Sequence, residues 1–316
     1  MRPPDDFAAI ADLFNAVAEA DGLEDRHDVQ GLEQWFAHAD HWDPLTDVLL
    51  AEVDGELIGY GKVHWNEDTD GGRNFATWGA VRPLWRRRGL GRAIHYENVR
   101  RLREMAAGQE PVPDLVRRFD SWASDSQVGA IALLESEGFQ VARYFFEMLR
   151  PHLDDIREFP LPEGLEVRPV EPEHYRALWE ADKEAFLDHW GAMNWSEETF
   201  QRFFSGPDFR PDLWRVAWAG DEVAGQVTNE VMREFNTQTG SRRGLLAGVS
   251  VRRPWRGRGL ARALVAQSLV ALRDEGMTDA VLGVDAENPT GAVGVYTDNG
   301  FVVHQRERQY RKPFDD

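Results

Sequence analysis

The chain contains no cysteine. Disulfides, thiol nucleophiles and cysteine-ligated metals are thereby excluded. It has no apolar run near the roughly 18 residues that cross a membrane, and its first residues do not follow a signal-peptide pattern. A cytoplasmic protein without a membrane partner is the expectation. Positive charge is scarce: 36 Lys and Arg face 55 Asp and Glu, for a formal net charge of -19. Phosphate repulsion then opposes general nucleic-acid binding. The balance suits a cationic substrate, although an acidic surface also serves solubility alone. Apolar residues, by contrast, are plentiful. They make up 42%, with 12 tryptophans and 17 phenylalanines, enough for packed cores. At roughly 100–200 residues per domain, 316 residues predict two domains.

An internal repeat supports two domains. "AVRPLWRRRGLGRAI" (80–94) lies over "SVRRPWRGRGLARAL" (250–264) at an offset of 170 residues, with Gly89 on Gly259, Trp85 on Trp255 and Arg86 on Arg256. "SQVGAIALLESEGF" (126–139) lies over "NPTGAVGVYTDNGF" (288–301) at an offset of 162. "RPPDDFAAIADLF" at the front resembles "RPVEPEHYRALWE", which begins at Arg168. So long a period repeats a whole domain rather than a solenoid unit. The acidic, proline-bearing "HLDDIREFPLPEG" (152–164) marks the join. The expected domains are 1–155 and 162–316. Residues before Arg168 (Leu165, Glu166, Val167) have no counterpart ahead of Arg2, so the first copy is expected to lack most of its first strand.

The second copy reads as a strand, an apolar-period helix through Tyr175, Leu178, Trp179, Asp182 and Phe186, and a short helix at "TFQRFFSG". A hairpin turns at Gly220–Asp221, and the strand "GLLAGVSV" follows. An amphipathic helix ends at Gly276, then come the strand "AVLGVDA", a helix closed by Gly300 and a last strand or strand pair. The order β-α-α-β-β-β-α-β-α-β predicts an α/β fold with a mixed, mostly antiparallel sheet flanked by helices.

The arginine-glycine turn between strand and helix suits a phosphate. A helix N-terminus offers unpaired N–H groups and partial positive charge, glycine allows close approach, and arginine adds donors. It is neither GxxxxGK[ST] nor GxGxxG. An ordinary strand-to-helix turn would also read this way. The pattern here is tighter: Arg256, Gly259 and Ala261 in one copy, Arg86, Gly89 and Gly91 in the other, both Arg-x-x-Gly-x-(Gly/Ala).

This resembles the [RQ]xxGx[GA] loop of the GCN5-related N-acetyltransferase (GNAT) family, and "ENPTGAVGVYTDNGF" is similar to that family's second conserved block. Two such domains in tandem resemble mycothiol synthase and related bacterial tandem acetyltransferases. The resemblance implies an N-acetyltransferase that uses acetyl-CoA and no metal. Acetyl would pass to a primary amine of a small molecule by direct attack in a ternary complex. It implies that Val249, Ser250 and Val251 hold the pantetheine arm through their backbone, at a bulge. Arg256, Gly257, Arg258, Gly259, Leu260 and Ala261 would hold the pyrophosphate, as Arg86, Arg88, Gly89 and Gly91 would in the first copy. Tyr296 would be the general acid, and Asn288 would cap its helix and touch the cofactor. The eight-residue spacing of that pair departs from the commoner seven, so the helix start is expected to differ locally. Glu230 is the first choice of general base, with Asp188 and His189 as alternatives. Asp188, His189 and Trp190, in "FLDHWGAMNWSEETF" (186–200), would line the substrate site.

The first copy has Leu134 where Tyr296 stands and Ser126 where Asn288 stands. Leucine donates no proton, so catalysis is expected in the second copy. A noncatalytic acyl-CoA-binding or regulatory module is the alternative. The acceptor stays open between a mycothiol precursor, a polyamine, an amino acid and a protein N-terminus. A monomer is expected, because tandem domains pair within one chain.

Overall fold

The computed structural model describes residues 1–2, 4–37, 41–68, 71–110, 112–191, 195–205 and 209–314, without the side chain of Asp188. The chain forms two compact units, Met1–Tyr144 with Glu307–Asp316, and Phe145–Arg306.

The first unit runs through α1 (Phe7–Asp21), α2 (Val29–Ala37), β1 (Val48–Val53), β2 (Glu56–Glu67) and β3 (Arg73–Val81). It continues with α3 (Leu90–Ala107), β4 (Arg117–Ser124), α4 (Val128–Ser136) and the start of β5 (Gln140–Arg150). Its sheet order is β1-β2-β3-β4, and Glu307–Pro313, from the chain's last strand, pairs with β4. Only β3 and β4 run parallel. Side chains of β2 alternate between the two faces. Tyr60 meets Phe14 of α1, ring centroids 4.9 Å apart. Gly61 faces α3 so closely that a Cβ there would lie 2.6 Å from Asn98 Oδ1. Helices thus cover both faces.

The second unit takes Phe145–Arg150 of β5, then β6 (Glu166–Arg168), α5 (Tyr175–Ala185), α6 (Glu197–Phe203), β7 (Arg215–Ala219) and β8 (Glu222–Val231). It continues with α7 (Arg233–Thr239), β9 (Arg243–Val251), α8 (Leu260–Asp274), β10 (Asp279–Asp285) and α9 (Ala292–Asp298). β11 (Val302–Pro313) follows, and its second half completes the first unit. The sheet order is β5-β10-β9-β8-β7-β6, with β9 and β10 the parallel pair. α8 is the core helix: Leu260, Leu264, Val265, Leu269 and Leu272 are buried against Ala224, Val227, Leu246 and Leu282.

The mixed, mostly antiparallel α/β architecture read from the sequence is therefore present twice. β6 has no counterpart ahead of α1 among the described residues. Three details differ from the reading. α7 is an added helix; its "REFNTQT" buries no residue and so carries no apolar period. The last segment is one long strand rather than a strand pair. The division also falls elsewhere than 1–155 and 162–316, because β5 and β11 each serve two units. β5 pairs with β10 over Phe145–Arg150, and β11 pairs with β4 over Glu307–Pro313. Among the described residues no helix is long and apolar enough to cross a membrane.

Side chains fasten the last strand into the first unit. Tyr310 is fully buried, Gln309 donates to Asp120 at 2.7 Å, and Arg311 donates to Asp120 at 3.1 Å and pairs with Asp68 at 2.7 Å. Truncation after Arg306 should therefore expose residues 1–144 to limited proteolysis rather than only shorten the C-terminal half. Tyr310→Ala should cost about 3–5 kcal/mol in denaturant unfolding of that unit.

Candidate active site

β9 and β10 are hydrogen-bonded only over Arg243–Leu245 and Asp279–Val281. β9 stays paired with β8 as far as Val251. Thr228 faces Gly248 and Asn229 faces Leu246, so Ala247 is an extra residue in the ladder. The bulge expected at Val249–Val251 thus lies two residues earlier. In an antiparallel pair, alternate residues turn their N–H and C=O away from the partner strand. Beyond the bulge those groups face the gap left by β10. The gap opens into a cleft of about 1070 Å³, lined by Leu246–Val251, Gly283–Asp285, the arginine-glycine turn and one side of α9.

The turn closes one end of this cleft. A 3-10 turn (Arg253–Trp255) is followed by Gly257 at φ 73° and Gly259 at φ 86°, the left-handed region that glycine enters without strain. No side chain caps α8 at Gly259, so its first N–H groups stay open to an anion. Arg258 is exposed and has no partner among the described residues. Arg256 braces the turn instead: Nε donates to the Val251 carbonyl at 2.9 Å, and a terminal nitrogen donates to the Ala185 carbonyl at 2.9 Å. Leu260 offers the cleft little beyond its backbone, because its side chain is core. Ala261 lines the cleft, as does Arg262, which pairs with Asp298 at 2.7 Å.

Tyr296 stands in the cleft wall on α9, buried, with no hydrogen-bond partner for its hydroxyl among the described residues. Burial pushes its phenol above the usual range, so it remains protonated at working pH. Asn288 lines the cleft but does not cap the helix, contrary to expectation. Gly291 is the N-cap, and Asn288 Oδ1 accepts from Thr290 N at 2.9 Å and Thr290 Oγ1 at 2.6 Å. The extra residue in the spacing is taken up by this side-chain turn.

The acceptor-side residues separate. His189 lines the cleft beside Phe186, ring centroids 5.3 Å apart. Trp190 packs 6.1 Å from Phe145 and is not a lining residue. The Asp188 side chain, and residues 192–194 of the same stretch, lie outside what is described. Glu230 sits on β8 opposite Leu245, next to the bulge, and is likewise not in the lining. One neighbour of the cleft-lining strand escaped the sequence reading. The Asp182 carboxyl on α5 accepts a hydrogen bond from Ser250 Oγ, behind the cleft-lining strand. Burial raises its pKa to about 6, against smaller opposing effects of its bonds with Ser250 and Gln226. An acid at i+4 from Leu178 on an apolar face was the available signal.

The first unit repeats the turn: a 3-10 turn (Pro83–Trp85), Arg87 at φ 63° and Gly89 at φ 86°. Arg86 donates to the Val81 carbonyl at 3.2 Å and grips Asp21 at 2.5 and 3.0 Å. Arg88 lies over the Trp85 ring at 5.0 Å, and Gly89 and Gly91 line a cleft of about 590 Å³. β3 parts from β4 after Ala76 but carries no bulge, and Leu134 occupies the wall position of Tyr296.

A mixed sheet parted between two parallel strands, with a glycine-rich turn into an uncapped helix at the mouth, is the architecture seen in acetyltransferases of the family matched next. The pattern of the Acetyltransferase (GNAT) family matches residues 8–139 and 172–301. The chain belongs to this family: it is an N-acetyltransferase with two family units in tandem, and such enzymes take acetyl from acetyl-CoA. It is 28% identical to the mycothiol acetyltransferase of Geodermatophilus obscurus over 314 residues, 98% of this chain and 95% of that one. It is 31% identical to that of Streptomyces bingchenggensis over 269 residues, 84% of this chain and 80% of that one. A GCN5-related N-acetyltransferase from Sphaerobacter thermophilus superposes with a TM-score of 0.78 at 26% identity, covering 99% of this chain and 94% of that one. A tandem GNAT protein from the clavulanic acid pathway shares the fold, at TM-score 0.69 and 15% identity over 100% of this chain and 98% of that one.

Two measurements test the site's physics. Arg87 holds a conformation that its Cβ disfavours, so Arg87→Gly should stabilise the first unit by up to about 1 kcal/mol in thermal or urea unfolding. Asp182 has a pKa of 3.8 as a free group and about 6 in the fold. The folded state therefore binds the proton more tightly. The resulting stabilisation is full below the lower value and is lost as pH rises through the higher one. Asp182→Asn should thus gain Tm relative to the parent protein between pH 4 and 7.

Proposed function

We propose that acetyl transfer takes place in the second unit, to a primary amine of a small molecule, in a ternary complex without an acyl-enzyme. The observation that carries this is the combination in one cleft of the open α8 turn, the bulged strand β9 and the Tyr296 hydroxyl. The diphosphate of acetyl-CoA would lie on the first amides of α8, beside Arg258. The pantetheine arm would run along Val249–Val251 as an added strand, exchanging amide hydrogen bonds with backbone groups that β10 leaves unpaired. Amine nitrogen attacks the thioester carbonyl, and a β9 amide near the bulge stabilises the oxyanion. As the carbon–sulfur bond breaks, Tyr296 gives its proton to the departing thiolate.

The acceptor enters as an ammonium and must lose a proton. His189, in the cleft wall, is the candidate to take it directly; Glu230, outside the lining and one ladder position from the bulge, would have to act through water. The names of the relatives point to an acceptor. The amine precursor of mycothiol is the first candidate, ahead of polyamines and amino acids.

The test is thiol release from acetyl-CoA with a panel of such amines. Tyr296→Phe should lower kcat about 10²-fold while leaving acetyl-CoA affinity unchanged. Gly259→Glu should abolish binding at this turn. Full turnover in both variants would move the chemistry out of the second unit. Because the phenol stays protonated, the pH profile should show no basic limb from Tyr296 in the neutral range.

A further inference from the structure

Lysine is scarce in this chain. Of its 36 basic residues only Lys62, Lys183 and Lys312 are lysines, and the rest are arginines. Arginine stays charged in any setting, whereas lysine can lose its proton when water is withdrawn. Lys183 is exposed and Lys312 half-buried, but Lys62, on β2, is 8% exposed. Its ammonium lies 4.2 Å from the ring centroid of Trp35, on α2, and 4.0 Å from that of Trp42, in the run into β1. Each of these rings stands 5.2 Å from Phe36, so the three form one aromatic wall. The ammonium makes no ion pair or hydrogen bond among the described residues.

The cross-strand neighbours of Lys62 are Val48 and Trp78, neither of which ionises. On α2 the acid is Glu33, which is exposed. The run into β1 adds Asp43, exposed, His41, stacked on Trp65, and Asp47, held by Arg101 at 2.7 Å. His64 follows two residues along β2 on the same face. Burial alone pushes the Lys62 pKa down, from 10.5 to about 8. The fold does not require a lysine here. Gly59 and Gly225 hold equal places in the two ladders, opposite Val81 and Val251, and three residues on from Gly225 stands Thr228. Nor is the cage heavily anchored. Of the nine residues of α2 only Leu32 and Phe36 are buried, and Trp35 is 41% exposed. Its outer wall thus rides on a helix held by two apolar side chains, the kind of segment that opens locally while the rest of a domain stays folded.

We propose that Lys62 is a modification site: it takes an acetyl group from acetyl-CoA when α2 opens, and the acetylated side chain no longer clamps α2 to the sheet. The neutral amine attacks the thioester carbonyl. A carbon–nitrogen bond forms, the carbon–sulfur bond breaks, and coenzyme A leaves as the thiol with the proton that the nitrogen gives up. The amide product carries no charge and makes neither cation–π contact.

Incubation of the intact, unaltered chain with acetyl-CoA, followed by mass-spectrometric mapping of acetyl-lysine, tests this with Lys183 as internal reference. The readout is mass on Lys62 rather than turnover of an amine, so it stands apart from the question of which cleft is catalytic. At neutral pH Lys62 should be acetylated about tenfold or more faster than Lys183, because far more of its amine is neutral. Its rate should level off above pH about 8, while that of Lys183 keeps rising through pH about 9. An equal or lower rate at Lys62, or one that climbs alongside Lys183 without levelling, would overturn the proposal. Lys62→Gln copies the uncharged product and should speed hydrogen exchange at 29–37 about tenfold, whereas Lys62→Arg keeps the charge and should not. Exchange at 243–251, in the other unit, should match the parent protein in both variants. Unchanged exchange at 29–37 in Lys62→Gln would overturn the release of α2.

Discussion

β9 cannot hydrogen-bond to β10 beyond Leu245, yet it must remain in register with β8 to Val251. Most of the second unit's candidate site follows from that parting. It leaves a row of backbone groups without strand partners and sets the start of α8 at one end of the row. The bulge at Ala247 lets the strand turn while Ser250 still meets Gln226 and Asp182 on the α5 face. On the other face Val251 is packed close to Gly225 and Leu260, under α8. A strand with one edge bonded and the other open is a rigid template. The ligand meets groups already aimed, and little ordering remains to be done on binding.

The turn was the most legible part of this site. Its left-handed positions demand glycine or a strained substitute, and such residues show in a sequence whatever the tertiary setting. Tyr296 could be placed for a similar reason, because it lies on a helix bounded by Gly291 and Gly300. The misreadings have nonlocal causes or arise from competing local bonds. Asn288 has the chemistry of a helix cap, but its side chain bonds to Thr290 and the cap passes to Gly291. Arg256 reads as an anion contact, while its guanidinium is spent on two carbonyls. Asp182 counted as one residue of a helical face, because nothing local reveals that Ser250 lies 68 residues away in its hydrogen-bond reach. The ends of the two units were hidden in the same way, since β5 and β11 look alike whichever neighbour they choose.

The two turns share dihedral angles more faithfully than they share chemistry. In one the left-handed position before the helix is Gly257, and in the other it is Arg87. The bracing arginine reaches a helix-end carbonyl in the second unit and an aspartate in the first. Both braces also hold the carbonyl at the end of the preceding strand, at Val251 and Val81. The mechanical task, fixing the angle between strand and helix, is thus met with different partners. What separates the units lies along the strand and on the wall helix.

The pairing of Glu307–Pro313 with β4 also bears on how the molecule is made. β4 ends at Ser124, so the strand that completes its sheet follows more than 180 residues later, at Glu307. At 5–20 residues per second, synthesis needs on the order of ten seconds or more to cover that stretch. Throughout that interval the first unit has an open sheet edge at β4, and Phe119 and Phe139 lack the cover of Tyr310. The N-terminal unit is therefore the first to be translated but cannot be the first to finish folding. An exposed edge of this kind is what a nascent chain must keep from pairing with its neighbours.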